Sequence, residues 1–110
     1  MAYDEDLANR IREQLADQEA VTEKEMFGGV AFLLGGNVAV GVTHDDLMVR
    51  VGKERADEAL DQPDARPFDM TGRPMKAWVL VAPAGVESDP QLRAWVERGV
   101  EFARSLPPKG

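Results

Sequence analysis

Apolar positions along this chain follow two periods, and the switch between them marks out the elements. Leu7, Ile11 and Leu15 recur on one side with Ala8 beside them, while Asp6, Arg10, Glu13 and Asp17 take the other. That pattern predicts an amphipathic helix from Asp4 to Gln18. Asp4, Glu5 and Asp6 suit the positive end of its dipole. From Glu23 the period drops to two. Met26 to Leu34 predicts a strand with the pair Gly28-Gly29 inside it, and Gly35-Gly36-Asn37 predicts a tight turn, since these residues accept positive φ. Val38–Val42 returns as the next strand, His44-Asp45-Asp46 turns again, and Leu47–Val51 completes an antiparallel meander. A short helix is expected from Gly52 to Leu60, with a proline-interrupted loop after it. Arg66 to Met70 reads as an edge strand, where proline is tolerated. Ala77–Val81 reads as a strand ended by Pro83-Ala84-Gly85.

The closing helix carries the clearest signals. Ser88 or Asp89 can cap it, Pro90 suits its first position, and Ser88 with Gln91 spells a capping box. Leu92, Trp95, Val96, Gly99, Phe102, Ala103 and Leu106 form its core-facing stripe before Pro107-Pro108 stops it. The order α-β-β-β-α-β-β-α predicts an α+β fold of two layers, an antiparallel sheet of about five strands with helices on one face. No repeat or linker breaks residues 1–110, so a single domain is expected.

Charge and composition narrow the function. Of the net −7, the first 25 residues contribute −5 through eight acids and three bases. DNA affinity comes largely from lysine and arginine meeting phosphates, so an acidic chain disfavours direct DNA binding. The absence of cysteine removes disulfides, thiolate metal sites and thiol catalysis, and fits a reducing, cytoplasmic setting. No apolar run approaches the roughly 20 residues of a membrane span, and the acidic start is unlike a signal peptide.

Candidate chemistry is sparse. The glycine pair lacks the lysine and the helix of a phosphate loop; a bulge or a close backbone approach is expected there instead. His44 with Asp45 and Asp46 sits on a turn whose consecutive side chains diverge, so no metal site is expected. No serine elbow or catalytic triad can be assembled. Trp78 and Trp95 read as core anchors. Alternation sets Leu47, Val49 and Val51 on one face of their strand and Met48 with Arg50 on the other. Arg50 is thus expected on the open face of the sheet. Arg66, Arg73 and Lys76 lie in a locally basic stretch, and the four cations form a candidate anion- or ligand-binding cluster through forked hydrogen bonds.

Two phrases carry a family resemblance: Met26-Phe27-Gly28-Gly29 and Thr71-Gly72-Arg73-Pro74-Met75-Lys76-Ala77-Trp78. With Phe32, Gly36-Asn37, the strand ending Arg50-Val51 and the closing phrases Trp95-Val96-Glu97-Arg98-Gly99 and Ser105-Leu106-Pro107-Pro108-Lys109, they resemble the amino-terminal domain of the TfoX/Sxy family. The resemblance implies an α+β, secretion-chaperone-like fold, with Met26, Phe27, Gly28, Gly29, Gly72, Pro74, Met75 and Trp78 as structural motif residues. It implies no catalytic residues and no cofactor. The family's competence regulators carry a further helical domain, and a small stand-alone member is expected here. The resulting expectation is a non-enzymatic cytoplasmic regulatory module that binds a protein partner or a second copy of itself. The homodimer is suggested by an apparent surplus of apolar residues, Val38, Val40, Val42, Leu47, Val49, Val51 and Val79, for one sheet face. The alternative is a small anionic-metabolite binder or an enzyme using Arg50, Arg66, Arg73 and Lys76.

Overall fold

A computed structural model describes residues 3–26, 28–68 and 76–107. The chain runs α1 (Glu5–Gln14), β1 (Val21–Met26), β2 (Gly29–Leu34), β3 (Asn37–Thr43), β4 (Asp46–Arg50), α2 (Ala56–Leu60), β5 (Ala65–Pro67), β6 (Trp78–Val81), a 3-10 turn (Pro83–Val86) and α3 (Asp89–Ser105). The strands form one six-stranded sheet ordered β1-β2-β3-β4-β6-β5, antiparallel throughout. The α+β architecture is the expected one, with one strand more.

The extra strand is β1. Its Thr22-Glu23-Lys24-Glu25 core is exposed on an edge, so it shows none of the apolar alternation that marks a half-buried strand. Met26 pairs with Gly29, and the chain reverses at Gly28, whose φ is +72°. The glycine pair therefore ends one strand and starts another, rather than lying inside a single strand. Its two members serve different needs. Gly28 supplies the left-handed turn conformation. Gly29 permits a close approach, since a Cβ there would lie 1.7 Å from the Val42 carbonyl oxygen. A bulge does occur in the sheet, but at Ala39. Phe32 pairs with Val40 and Leu33 with Val38. The extra residue packs with Leu34 and Ala103 beneath α3.

Helix boundaries have local causes. Asp4 caps α1 by accepting the Leu7 N–H at 3.1 Å. The capping box of α3 forms as expected: Ser88 Oγ accepts from Gln91 N at 3.2 Å, and Gln91 Oε1 accepts from Ser88 N at 3.0 Å. The second helix begins at Ala56 rather than Gly52 because Gly52, at φ +84°, turns the chain out of the helical region.

One apolar layer lies between the sheet and all three helices. It unites Leu7, Ile11 and Leu15 of the α1 region, Ala56 and Ala59 of α2, and Leu92, Trp95 and Val96 of α3 with the inward residues of β2, β3, β4 and β6. Val40, Val42, Leu47, Val49, Val51 and Val79 all belong to this layer, and Val38 is 9% exposed. The apparent surplus of apolar strand residues is thus absorbed within one chain. On the opposite face Met48, Phe68 and Leu80 form a second buried cluster against Trp78. Trp95 is a core anchor as expected, whereas Trp78 is half-buried and meets Phe68 edge-on at 5.7 Å.

Arg12 fastens α1 to the β1 edge. Its Nε and Nη2 donate to the two carboxylate oxygens of Glu23 at 2.8 and 2.7 Å, and its guanidinium stands 5.7 Å from the Phe32 ring centroid. The hydrogen bond from Arg12 holds the Glu23 carboxyl below its ordinary value. A carboxylate with a depressed folded pKa stabilises above its unfolded pKa and loses that contribution as pH falls through the folded one. Glu23→Gln should cost about 0.5 kcal/mol at pH 7, the scale of a half-exposed pair. The difference from the parent should begin to shrink as the pH falls below the ordinary glutamate value of about 4.3 and be lost as it passes through the lower folded value. Urea denaturation of both proteins across pH 3–7 measures this, and a difference independent of pH would contradict it.

Candidate anion-binding recess

The end of β4 builds the most distinctive site. After Arg50, the N–H groups of Val51 and Gly52 both donate to the Ala77 carbonyl, at 2.8 and 3.0 Å, which fixes the chain's exit from the sheet. Gly52 lies under the Phe102 ring of α3: a Cβ there would sit 2.6 Å from Phe102 Cε1. The turn through Lys53, Glu54 and Arg55 then faces the carboxy-terminal half of α3. Together these segments enclose a recess of about 600 Å³ bordered by Arg50, Gly52, Lys53, Arg55, Glu101 and Phe102, among others. That is the size of a small-molecule pocket.

Arg50 is the centre of it. Its guanidinium carbon stands 5.2 Å from the Phe102 ring centroid and 5.9 Å from that of Trp78. Such contacts favour a cation but accept no strong hydrogen bond. Among the described residues the buried Nε–H has no hydrogen-bond partner and Arg50 has no ion pair. A buried donor left unsatisfied costs about 1–3 kcal/mol. Two of the three neighbouring cations are otherwise occupied, Lys53 being the exception. Arg55 pairs with Glu101 at 2.9 Å, and Arg98 reaches Glu58 at 3.6 Å while lying over Trp95.

The four expected cations do not all converge here. Arg66 is opposite Leu80 on the far side of β6 and bonds Asp46, at the other end of β4 from Arg50. Four residues of strand, about 13 Å, separate those ends. Lys76 is exposed on the turn before β6. Arg73 lies outside the described residues, as do Phe27, Gly72, Pro74, Met75 and the expected Asp69-Met70 end of the edge strand. Nor is Arg50 simply a solvated arginine on an open sheet face, since two rings flank it. Sequence reasoning missed Gly52, Lys53 and Phe102 as its companions. The available signal was weak: a glycine two residues after the arginine, and an aromatic at the margin of the last helix's stripe.

Other candidates have structural roles. His44, at φ +52°, accepts the Asp4 N–H at 2.7 Å and holds the amino-terminal segment to the sheet. Among the described residues no group of three or more His, Cys, Asp or Glu could hold a metal ion. No helix among them is long and apolar enough to cross a membrane.

An antiparallel sheet with helices on one face and a cationic recess at its end describes a small α+β protein. The chain belongs to the TfoX N-terminal domain family, whose sequence model matches residues 13–103. It is not a known enzyme family. Comparison with curated proteins and with solved structures returned no match.

Proposed function

We propose that this TfoX N-terminal domain protein is a non-enzymatic regulatory module of the cytoplasm that acts by binding an anionic group in the Arg50 recess. The observation that carries the reading is the buried Nε–H of Arg50, without a hydrogen-bond partner among the described residues, beside an open recess of ligand size. An arginine kept without a carboxylate retains its affinity for one that arrives. Membership of a family that is not a known enzyme family supports a binding role. A regulatory role further requires a protein partner that senses the occupied state. The β1 edge is poorly suited to pairing with a second copy. Centred on Lys24, such pairing would set Lys24 against Lys24 and Glu23 against Glu25, and like charges in opposition are unfavourable.

A thermal-shift screen of carboxylated and phosphorylated compounds tests the reading. A ligand at 100 times its dissociation constant adds about 2.7 kcal/mol to the native state, which for a domain of this size raises Tm by roughly 10 °C. Arg50→Met should abolish the shift and Lys24→Ala should leave it intact. A screen without hits, or a shift retained in Arg50→Met, would reject the recess as the binding site.

A further inference from the structure

The recess also bears on what kind of anion it takes, an inference that rests on the binding reading above. Four cations and two acids border it: Arg50, Lys53, Arg55 and Arg98 against Glu54 and Glu101. Arg55 is neutralised by Glu101, and Arg98 is drawn toward Glu58 and the Trp95 face. Arg50 and Lys53 remain against Glu54, an excess of about one positive charge. The protein as a whole carries −7, so long-range attraction adds nothing for a multiply charged ligand. A phosphate monoester carries about −1.5 to −2 at neutral pH and needs several donors or cations to replace its hydration. A carboxylate carries one charge and matches the two parallel donors along one side of a guanidinium.

The walls specify the rest of the ligand. Phe102, Val51 and Ala77 give the recess an apolar lining beside Arg50, whose guanidinium carbon also lies 5.9 Å from the Trp78 ring centroid. The Phe102 centroid lies 5.2 Å from the same carbon, and Nε is buried. A modest rotation about the terminal arginine torsions would bring its Nε–H edge to an acceptor in the recess and relieve the unsatisfied donor. A flat, unsaturated group attached to that acceptor would lie against Phe102. We propose that the recess binds a monoanionic aromatic carboxylate, with the carboxylate on the Arg50 fork and the ring on Phe102.

The test compares three probes by calorimetric titration of the full chain at pH 7: 2-naphthoate, acetate and phenyl phosphate. Naphthoate should bind at least about tenfold more tightly than either of the others, a gap of about 1.4 kcal/mol. Arg50→Lys keeps the charge but loses the fork, and should weaken naphthoate about tenfold. Phe102→Leu should narrow the preference for naphthoate over acetate. Should a variant fail to fold, amide shifts of Gly52, Lys53 and Phe102 in the unaltered protein locate the ligand directly. Naphthoate shifts centred elsewhere, or affinity untouched by Arg50→Lys, would overturn the proposal. Phenyl phosphate binding more tightly, with Arg50 required, would overturn the carboxylate assignment and leave the anion-binding function standing. Failure of all three probes and of the wider screen would remove both.

Discussion

Gly29→Ala should be among the most damaging single substitutions in this protein, costing about 4 kcal/mol or more and leaving little folded material at 37 °C. The added methyl would stand 1.7 Å from the Val42 carbonyl oxygen and 2.8 Å from its carbon. Both are backbone atoms of the adjacent central strand, so no side-chain rotation relieves the clash. Relief requires β2 and β3 to separate, in a sheet where their ladder is continued by β4. The neighbouring Gly28→Ala is the informative control. Its added methyl meets nothing within 4 Å, and only the φ of +72° opposes it. That conformation costs a residue with a Cβ about 1–2 kcal/mol, and Gly28→Asn should cost less because asparagine visits this region more readily. Urea denaturation midpoints rank the three variants. If Gly28→Ala proved as harmful as Gly29→Ala, the close approach to Val42 would not be what Gly29 serves.

Phe32→Ala should cost about 3–5 kcal/mol. Small domains hold a total of about 5–15 kcal/mol, so this variant would be marginal or unfolded. The Phe32 ring is fully buried in the layer between sheet and helices, on the strand next to the β1 edge. Beyond the cavity left behind, truncation removes the surface on which Arg12 rests, 5.7 Å from the ring centroid. The Arg12–Glu23 pair should lose its fixed geometry at the same time. A cycle of Phe32→Leu and Arg12→Met isolates that coupling, which should be about 0.5–1 kcal/mol for a partly exposed cation on an aromatic face. Additive effects would show that Arg12 gains nothing from the ring.

Much of this architecture follows from local chemistry. The Ser88–Gln91 capping box, the hairpin at Gly35-Gly36 and the α3 stripe at Leu92, Trp95, Val96, Gly99 and Ala103 depend on neighbours within a few residues and stand as read, whereas Phe102 and Leu106 of that stripe are only partly buried. The α+β arrangement follows too, because each apolar face must find a covering layer. Where the reading failed, the deciding contact was remote or the strand carried no apolar signal. Strand β1 was invisible because an edge strand bearing Glu23, Lys24 and Glu25 buries too little to show a period. The glycine pair looked like an interruption of one strand because its role depends on Val42, thirteen residues on from Gly29.

The candidate site divides along the same line. Residue type and strand alternation single out Arg50 as an unusual cation, and the chain by itself also determined its last helix, the hairpin at Gly35-Gly36 and its family. Which groups meet Arg50 was decided by tertiary structure. Sheet register carried Arg66 to Asp46, and the crossing of α3 brought Phe102 onto Gly52, fifty residues away in sequence. The physical reason is one of range. Helix stripes, caps and tight turns are specified by interactions a few residues apart, whereas strand pairing and helix placement are set by the packing of the whole core. A recess formed between them exists only once that core has closed.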